Sequence, residues 1–100
     1  MFDKTFRSES WLRAVRSIGQ CVLCGSTEGI QAAHRNKGKG MGIKTSDALT
    51  ACLCHKCHFE IDNGKDLIKA ERHALMDEAI VKTLEKLTSK ELVCVAKKGD

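Results

Sequence analysis

Residues 52–62 read CLCHKCHFEID, and the meaning of this stretch decides the fold. The run CHKCH fits the C-x-x-C-H pattern that attaches a c-type haem. Cys54 and Cys57 by themselves fit a redox dithiol or one half of a zinc site. His58 and Asp62 stand four residues apart, so on a helix they share one face and can hold a divalent cation together. The rest of the chain chooses among these chemistries.

A second pair, Cys21-Val-Leu-Cys24, precedes the first by 29 residues. Haem attachment leaves that pair without a role and needs an exported chain, whereas the N-terminal MFDKTFRSESWLRAVRS is charged and has no apolar run of the signal-peptide kind. A thioredoxin-like dithiol wants a βαβ setting, which the pattern does not offer. Read together, Cys21, Cys24, Cys54 and Cys57 form a four-thiolate zinc site that ties two distant segments to one metal. The intervening length is that of a hairpin. The plain alternative is four buried free thiols. His55 is an alternative ligand, less well placed because it lies between two others. Cys52 and Cys94 alternate with apolar neighbours and read as core residues.

One hundred residues make one small domain, 1–100, whose only aromatic residues are Trp11, Phe2, Phe6 and Phe59. A core this small is commonly supplemented by a structural metal. No apolar run approaches the roughly 20 residues that span a bilayer, so no membrane partner is expected. A reducing cytoplasm is the expected compartment, and there paired cysteines favour metal over disulfide. The net charge of +4, from 17 basic and 13 acidic side chains, is a mild excess. For nucleic-acid binding, the placement of those charges matters more than their sum.

Proline is absent, so glycines and polar clusters mark the boundaries. SESWLRAVRSIG predicts a first helix, with Trp11, Leu12, Val15 and Ile18 at helical spacing, Ser8 or Ser10 as cap and Gly19 as stop. CVLCGSTEG predicts a tight knuckle. GIQAAHR and ALTACL predict two short antiparallel strands, separated by a glycine- and lysine-rich loop, NKGKGMGIKTSD. From Cys54 the pattern turns helical and ends at Asn63-Gly64. A long helix is predicted over about 65–88, with Leu67, Ala70, Ala74, Ile80, Val81, Leu84 and Leu87 near one face. ELVCVA reads as a last strand, and His73 as a solvated surface residue.

The order C-x-x-C, strand ending in histidine, loop, second strand, then C-x-x-C-H-x-x-x-D on a helix resembles the HNH, or ββα-metal, endonuclease superfamily. The likeness is to phage and prophage recombination-associated members of the YbcO-like, NinG and Ref types. It is carried by AAHRN, GMGIKTSD and CLCHKCHFEID and covers about residues 21–62. The fold it implies is α+β: a zinc-braced, treble-clef-like ββα unit with a flanking N-terminal helix and a long C-terminal one.

Carried over by this resemblance, His34 matches the general base, and His58 and Asp62 match ligands of a catalytic magnesium or manganese ion. The four cysteines match the structural zinc site. Ala33 stands where relatives often have an Asp or His ligand, with Asp47 available to be recruited. Asn36 and Asp47 are candidates for the family's middle Asn. The implied reaction is hydrolysis of DNA phosphodiesters. A neutral histidine suits the base and a metal the Lewis acid. Arg35, Lys37, Lys39 and Lys44 would position the DNA backbone without reading its sequence. Without the motif those lysines are simply a solvated loop. GKGMGIKT is not a nucleotide-binding P-loop, because Ile43 stands where a glycine is required before the lysine. The alternative function is a non-catalytic zinc module that binds DNA or protein, or an adaptor that docks a partner on its long helix.

Overall fold

Ser8 is extended, and its hydroxyl accepts the Trp11 backbone N–H at 3.0 Å, so a helix starts at the next residue. In the computed structural model of the chain, which describes residues 5–35 and 45–95, this is α1, Glu9–Ser17. Four further elements follow: β1 (Gln31–His34), β2 (Thr50–Leu53), α2 (His55–Asn63) and α3 (Lys69–Ser89). Over the described residues the result is a small α+β fold with a two-stranded sheet and three helices.

The strands pair antiparallel as expected, with Gln31 opposite Leu53, Ala32 opposite Cys52, Ala33 opposite Ala51 and His34 opposite Thr50. Side chains alternate between the faces of a strand, so this register sorts the core into two layers. Ala33, Ala51 and Leu53 pack with Ile61 of α2 and Met76 and Ala79 of α3. On the other face, Cys52 packs with Val15 of α1 and Leu87 of α3, and Ala32 lies against them. The hairpin is the middle of the molecule, and α3 reaches both layers.

At Cys52 the outer edge of β2 is closed by two hydrogen bonds. Its carbonyl accepts from Val22 N–H at 3.0 Å and its N–H donates to the Thr83 hydroxyl at 2.9 Å. A buried backbone N–H without an acceptor would be costly, and a threonine on α3 removes that cost.

Three expectations need correction. The long helix begins at Lys69 rather than near Lys65, because the Glu71 side chain accepts from the Ile68 N–H at 3.0 Å and sets the start there. Its buried stripe is Met76, Ala79, Thr83 and Leu87, while Ala70, Ala74, Val81 and Leu84 are exposed. A stripe chosen by apolar character alone rotates away from Thr83, whose burial depends on its hydrogen bond. Finally, ELVCVA is not a strand over its described residues. Glu91 turns with φ +56°, and Leu92 and Val93 donate back to the Leu87 carbonyl, ending the helix and leaving Cys94 exposed rather than in the core.

Candidate functional site

The cysteine knuckles meet at one point. Gly25, with φ +83°, donates to the Cys21 carbonyl at 3.0 Å and closes the first turn. Cys54 caps α2, its sulfur accepting from Cys57 N–H at 3.4 Å. The Sγ atoms of Cys21, Cys24, Cys54 and Cys57 all lie within 4.8 Å of one another. A tetrahedral zinc with bonds of about 2.3 Å holds its sulfurs roughly 3.8 Å apart, and Cys24 and Cys54 are already at 3.6 Å. The four cysteines could hold a metal ion such as zinc.

The cluster favours a thiolate ahead of the metal. Burial pushes the Cys21 thiol up, but hydrogen bonds from the Cys24, Cys54 and Leu23 backbone and the Cys57 thiol outweigh it, and its pKa falls to about 6. Cys57 moves the opposite way, raised first by burial and then by its interactions with the other three sulfurs. Cys52 lies on the far face of the hairpin. Its buried thiol is raised by burial and donates to the Gln20 carbonyl at 3.3 Å.

His34 ends β1, and its Nε2 is 2.8 Å from Oδ1 of buried Asp47. The same carboxylate accepts from Arg7 Nη1 at 2.9 Å and from Ser8 N–H at 2.8 Å. The His34 hydrogen bond lowers the Asp47 pKa; burial opposes this, and Ser8 and Arg7 add to it. Asp47 is therefore ionised at neutral pH. Nε2 then carries the proton it donates, which leaves Nδ1 as the basic nitrogen.

On α2, His58 Nε2 is 3.1 Å from Asp62 Oδ2, the spacing expected from i and i+4. His58 Nδ1 pairs closely with Gln31 Oε1 on β1. Since a carbonyl oxygen only accepts, Nδ1 carries the proton, and a neutral ring then turns its Nε2 lone pair toward the Asp62 carboxylate. A cation between them, either a proton or a metal, makes that geometry favourable. Gln31 was not singled out by sequence. It lies two residues before Ala33, and strand alternation is the signal that points to it.

The two histidine–carboxylate couples leave opposite faces of the hairpin. Gln31 and Ala33 face α2, whereas His34 faces the segment before α1. Ala33 itself is wholly buried in the core. Arg35, one residue past His34, returns to the α2 and α3 side, where it pairs with Asp77 at 2.7 Å. There it lines a cleft with Asp62, Lys69, Arg72 and His73, so His73 is a half-buried cleft residue rather than a solvated one. Lys37, Lys39, Lys44 and Asn36 lie outside the described residues. Among the described residues, no second group of three or more His, Cys, Asp or Glu side chains converges closely enough to share an ion.

Comparison of the chain with protein-family models, curated proteins and solved structures returned no match. Among the described residues, no helix is long and apolar enough to cross a membrane.

Proposed function

We propose that this chain is a metal-dependent DNA endonuclease of the HNH type, with the four cysteines binding a structural zinc. A role in processing phage or prophage DNA follows from the same resemblance. The observation that carries the reading is the His58–Asp62 couple at i and i+4 on the helix that the cysteine cluster caps, with His34 and Asp47 forming a second couple at the end of β1. Because the two leave opposite faces of the hairpin, base and cation site serve one phosphate only if the strand end turns His34 toward α2. In this reading His34 takes a proton from the attacking water at Nδ1. Asp47 fixes the ring and stabilises the imidazolium that forms. His58 and Asp62 would hold a divalent cation, which would supply Lewis-acid charge neutralisation to the hydrolysis. Arg35 and the loop lysines, Lys37, Lys39 and Lys44, hold the DNA backbone.

A second reading has its own support. Ala33 occupies a position where the resemblance implies a metal ligand, and it is fully buried. Asp47 bridges Arg7, Ser8 and His34. Both features suit a non-catalytic zinc module in which His34 is a structural bridge. The deciding experiment incubates pure protein with single-stranded, duplex and branched DNA and with magnesium or manganese. Cleavage that falls about 10²–10⁴-fold in His34→Ala supports the endonuclease. Binding without cleavage of any form supports the module.

A further inference from the structure

The cleft between the end of β1, the end of α2 and the first turns of α3 is lined by Arg35, Ile61, Asp62, Lys69, Arg72, His73 and Met76 and measures about 220 Å³. That is below the roughly 300–1,000 Å³ of pockets for drug-sized molecules, so it suits one small group. Three of its polar walls are cationic, and each is placed in an informative way.

Both arginines are anchored by one edge. Arg35 donates from Nε and Nη2 to the Asp77 carboxylate at 2.7 and 3.3 Å. Arg72 donates from Nη1 to the Asp62 and Ile61 carbonyls at 2.8 and 3.4 Å, at the end of α2. A guanidinium carries five donors, so each retains others once its plane is fixed. The Arg72 Nε is buried and has no hydrogen-bond partner among the described residues. That atom is closed to solvent and so to a ligand; the donors left for an anion are Arg72 Nη2, Arg35 Nη1 and the Lys69 ammonium. Lys69 is the first residue of α3, where the helix dipole disfavours a cation. Among the described residues Asp62 is the acidic side chain of the lining, and His58 Nε2 lies 3.1 Å from its carboxylate.

The geometry points to an oxyanion subsite here, formed by Arg35, Lys69 and Arg72 and suited to a single phosphate group. Fixed guanidinium planes beside a lysine are the donor set that recognises phosphate. That the phosphate belongs to a nucleic-acid backbone rests on the endonuclease reading; the anion site itself rests on the cleft. Because Asp62 borders both this cleft and the groove holding His58 and Gln31, a backbone phosphate here would flank the candidate cation site.

The test is an NMR titration of the zinc-loaded full chain in its His34→Ala form, without added divalent ion, following the arginine Nε–Hε resonances. Cleavage plays no part in this readout, so failure of the nuclease reading does not affect it. Inorganic phosphate and a short single-stranded oligothymidylate are the two probes. Saturable shifts at Arg72 and Arg35, weakened about tenfold by Arg72→Gln, are expected. Arg72 also holds the end of α2, so Lys69→Gln is the second variant, expected to weaken binding about threefold with the fold unchanged. Phosphate and oligonucleotide competing for the same resonances identify a backbone site; phosphate alone identifies a site for the free anion. Shifts confined to other residues, no saturable shift with either probe, or unchanged affinity in a folded Lys69→Gln would overturn the proposal.

Discussion

The His34 imidazole stands with Nε2 2.8 Å from Oδ1 of Asp47, a carboxylate only 4% exposed that also anchors Arg7 and the Ser8 backbone. One buried charge thus sets the orientation of the β1 terminus and ties the segment before α1 to it. The tautomer of His34 follows from this contact.

That carboxylate carries a pH dependence of stability. Its pKa is held below the ordinary value of 3.8 in the folded chain, chiefly by His34. A group depressed on folding stabilises the native state above its unfolded pKa, and the gain is lost as pH falls through the folded one. Wild type should therefore lose stability steeply below about pH 4, and Asp47→Asn should flatten that part of the profile. Denaturant midpoints from pH 2 to 7 measure it. Superimposable profiles would mean that Asp47 is not linked to folding.

A zinc stoichiometry of one per chain is expected, with chelation unfolding the hairpin and α2, because metal affinity here is folding free energy. Cys21 has its thiol lowered to about 6. That shift belongs to the folded cluster, so zinc uptake by the chelated, unfolded chain should release close to one proton per thiolate ligand at pH 7.5. Calorimetric titration in buffers of different ionisation enthalpy counts them. Zinc-free protein with the same melting curve as the loaded form contradicts the structural role.

The loop before β1 offers a sharper test of the clasp. Gly29 has φ +60°, and a Cβ there would lie 2.8 Å from the His55 Cβ at the start of α2. Gly19 has φ +74°, but its nearest contact would be 3.8 Å. Alanine in the left-handed region costs about 1–2 kcal/mol at either site. Gly29→Ala adds a clash beside the cysteine cluster, so it should destabilise clearly more than Gly19→Ala and lower zinc affinity as well. Equal effects would place the loop further from α2.

The Thr83 hydroxyl, which accepts the Cys52 N–H, explains where sequence reading succeeds and where it fails. Elements whose signals are local were readable: the Ser8 cap, the Cys-x-x-Cys knuckles, the strand that ends in His34, and the His58–Asp62 spacing. The face of α3 was not, because burial of Thr83 depends on a backbone group 31 residues away. Gln31, Arg72 and the Asp47 anchor were hidden for the same reason: their partners are distant in sequence. Thr83→Val should cost about 1–3 kcal/mol by leaving that N–H unpaired, whereas Val81→Ala, one turn face away, should be near neutral. Chemical denaturation distinguishes them, and reversed magnitudes would restore the face expected from apolar character.

The last prediction separates base from cation site within the proposed reaction. His34→Ala removes the base, so its loss of cleavage should not be recovered by raising magnesium or manganese. His58→Ala removes a ligand, so part of its loss should return at high metal concentration. Gln31 touches His58 rather than substrate and acts as a positioning residue, fixing the Nδ1 proton so that Nε2 faces Asp62. Outer partners of metal-bound histidines typically matter about 10–100-fold in affinity or activity. Gln31→Leu should accordingly raise the metal concentration needed for half-maximal cleavage, with the maximal rate close to wild type. Gln31→Glu, which keeps an acceptor oxygen, should restore metal affinity. Paramagnetic broadening of the His58 ring resonances by manganese provides a readout independent of cleavage and should weaken in Gln31→Leu. If metal dependence is identical in wild type, His58→Ala and Gln31→Leu, the His58–Asp62 couple is an ion pair of α2 and the cation binds elsewhere.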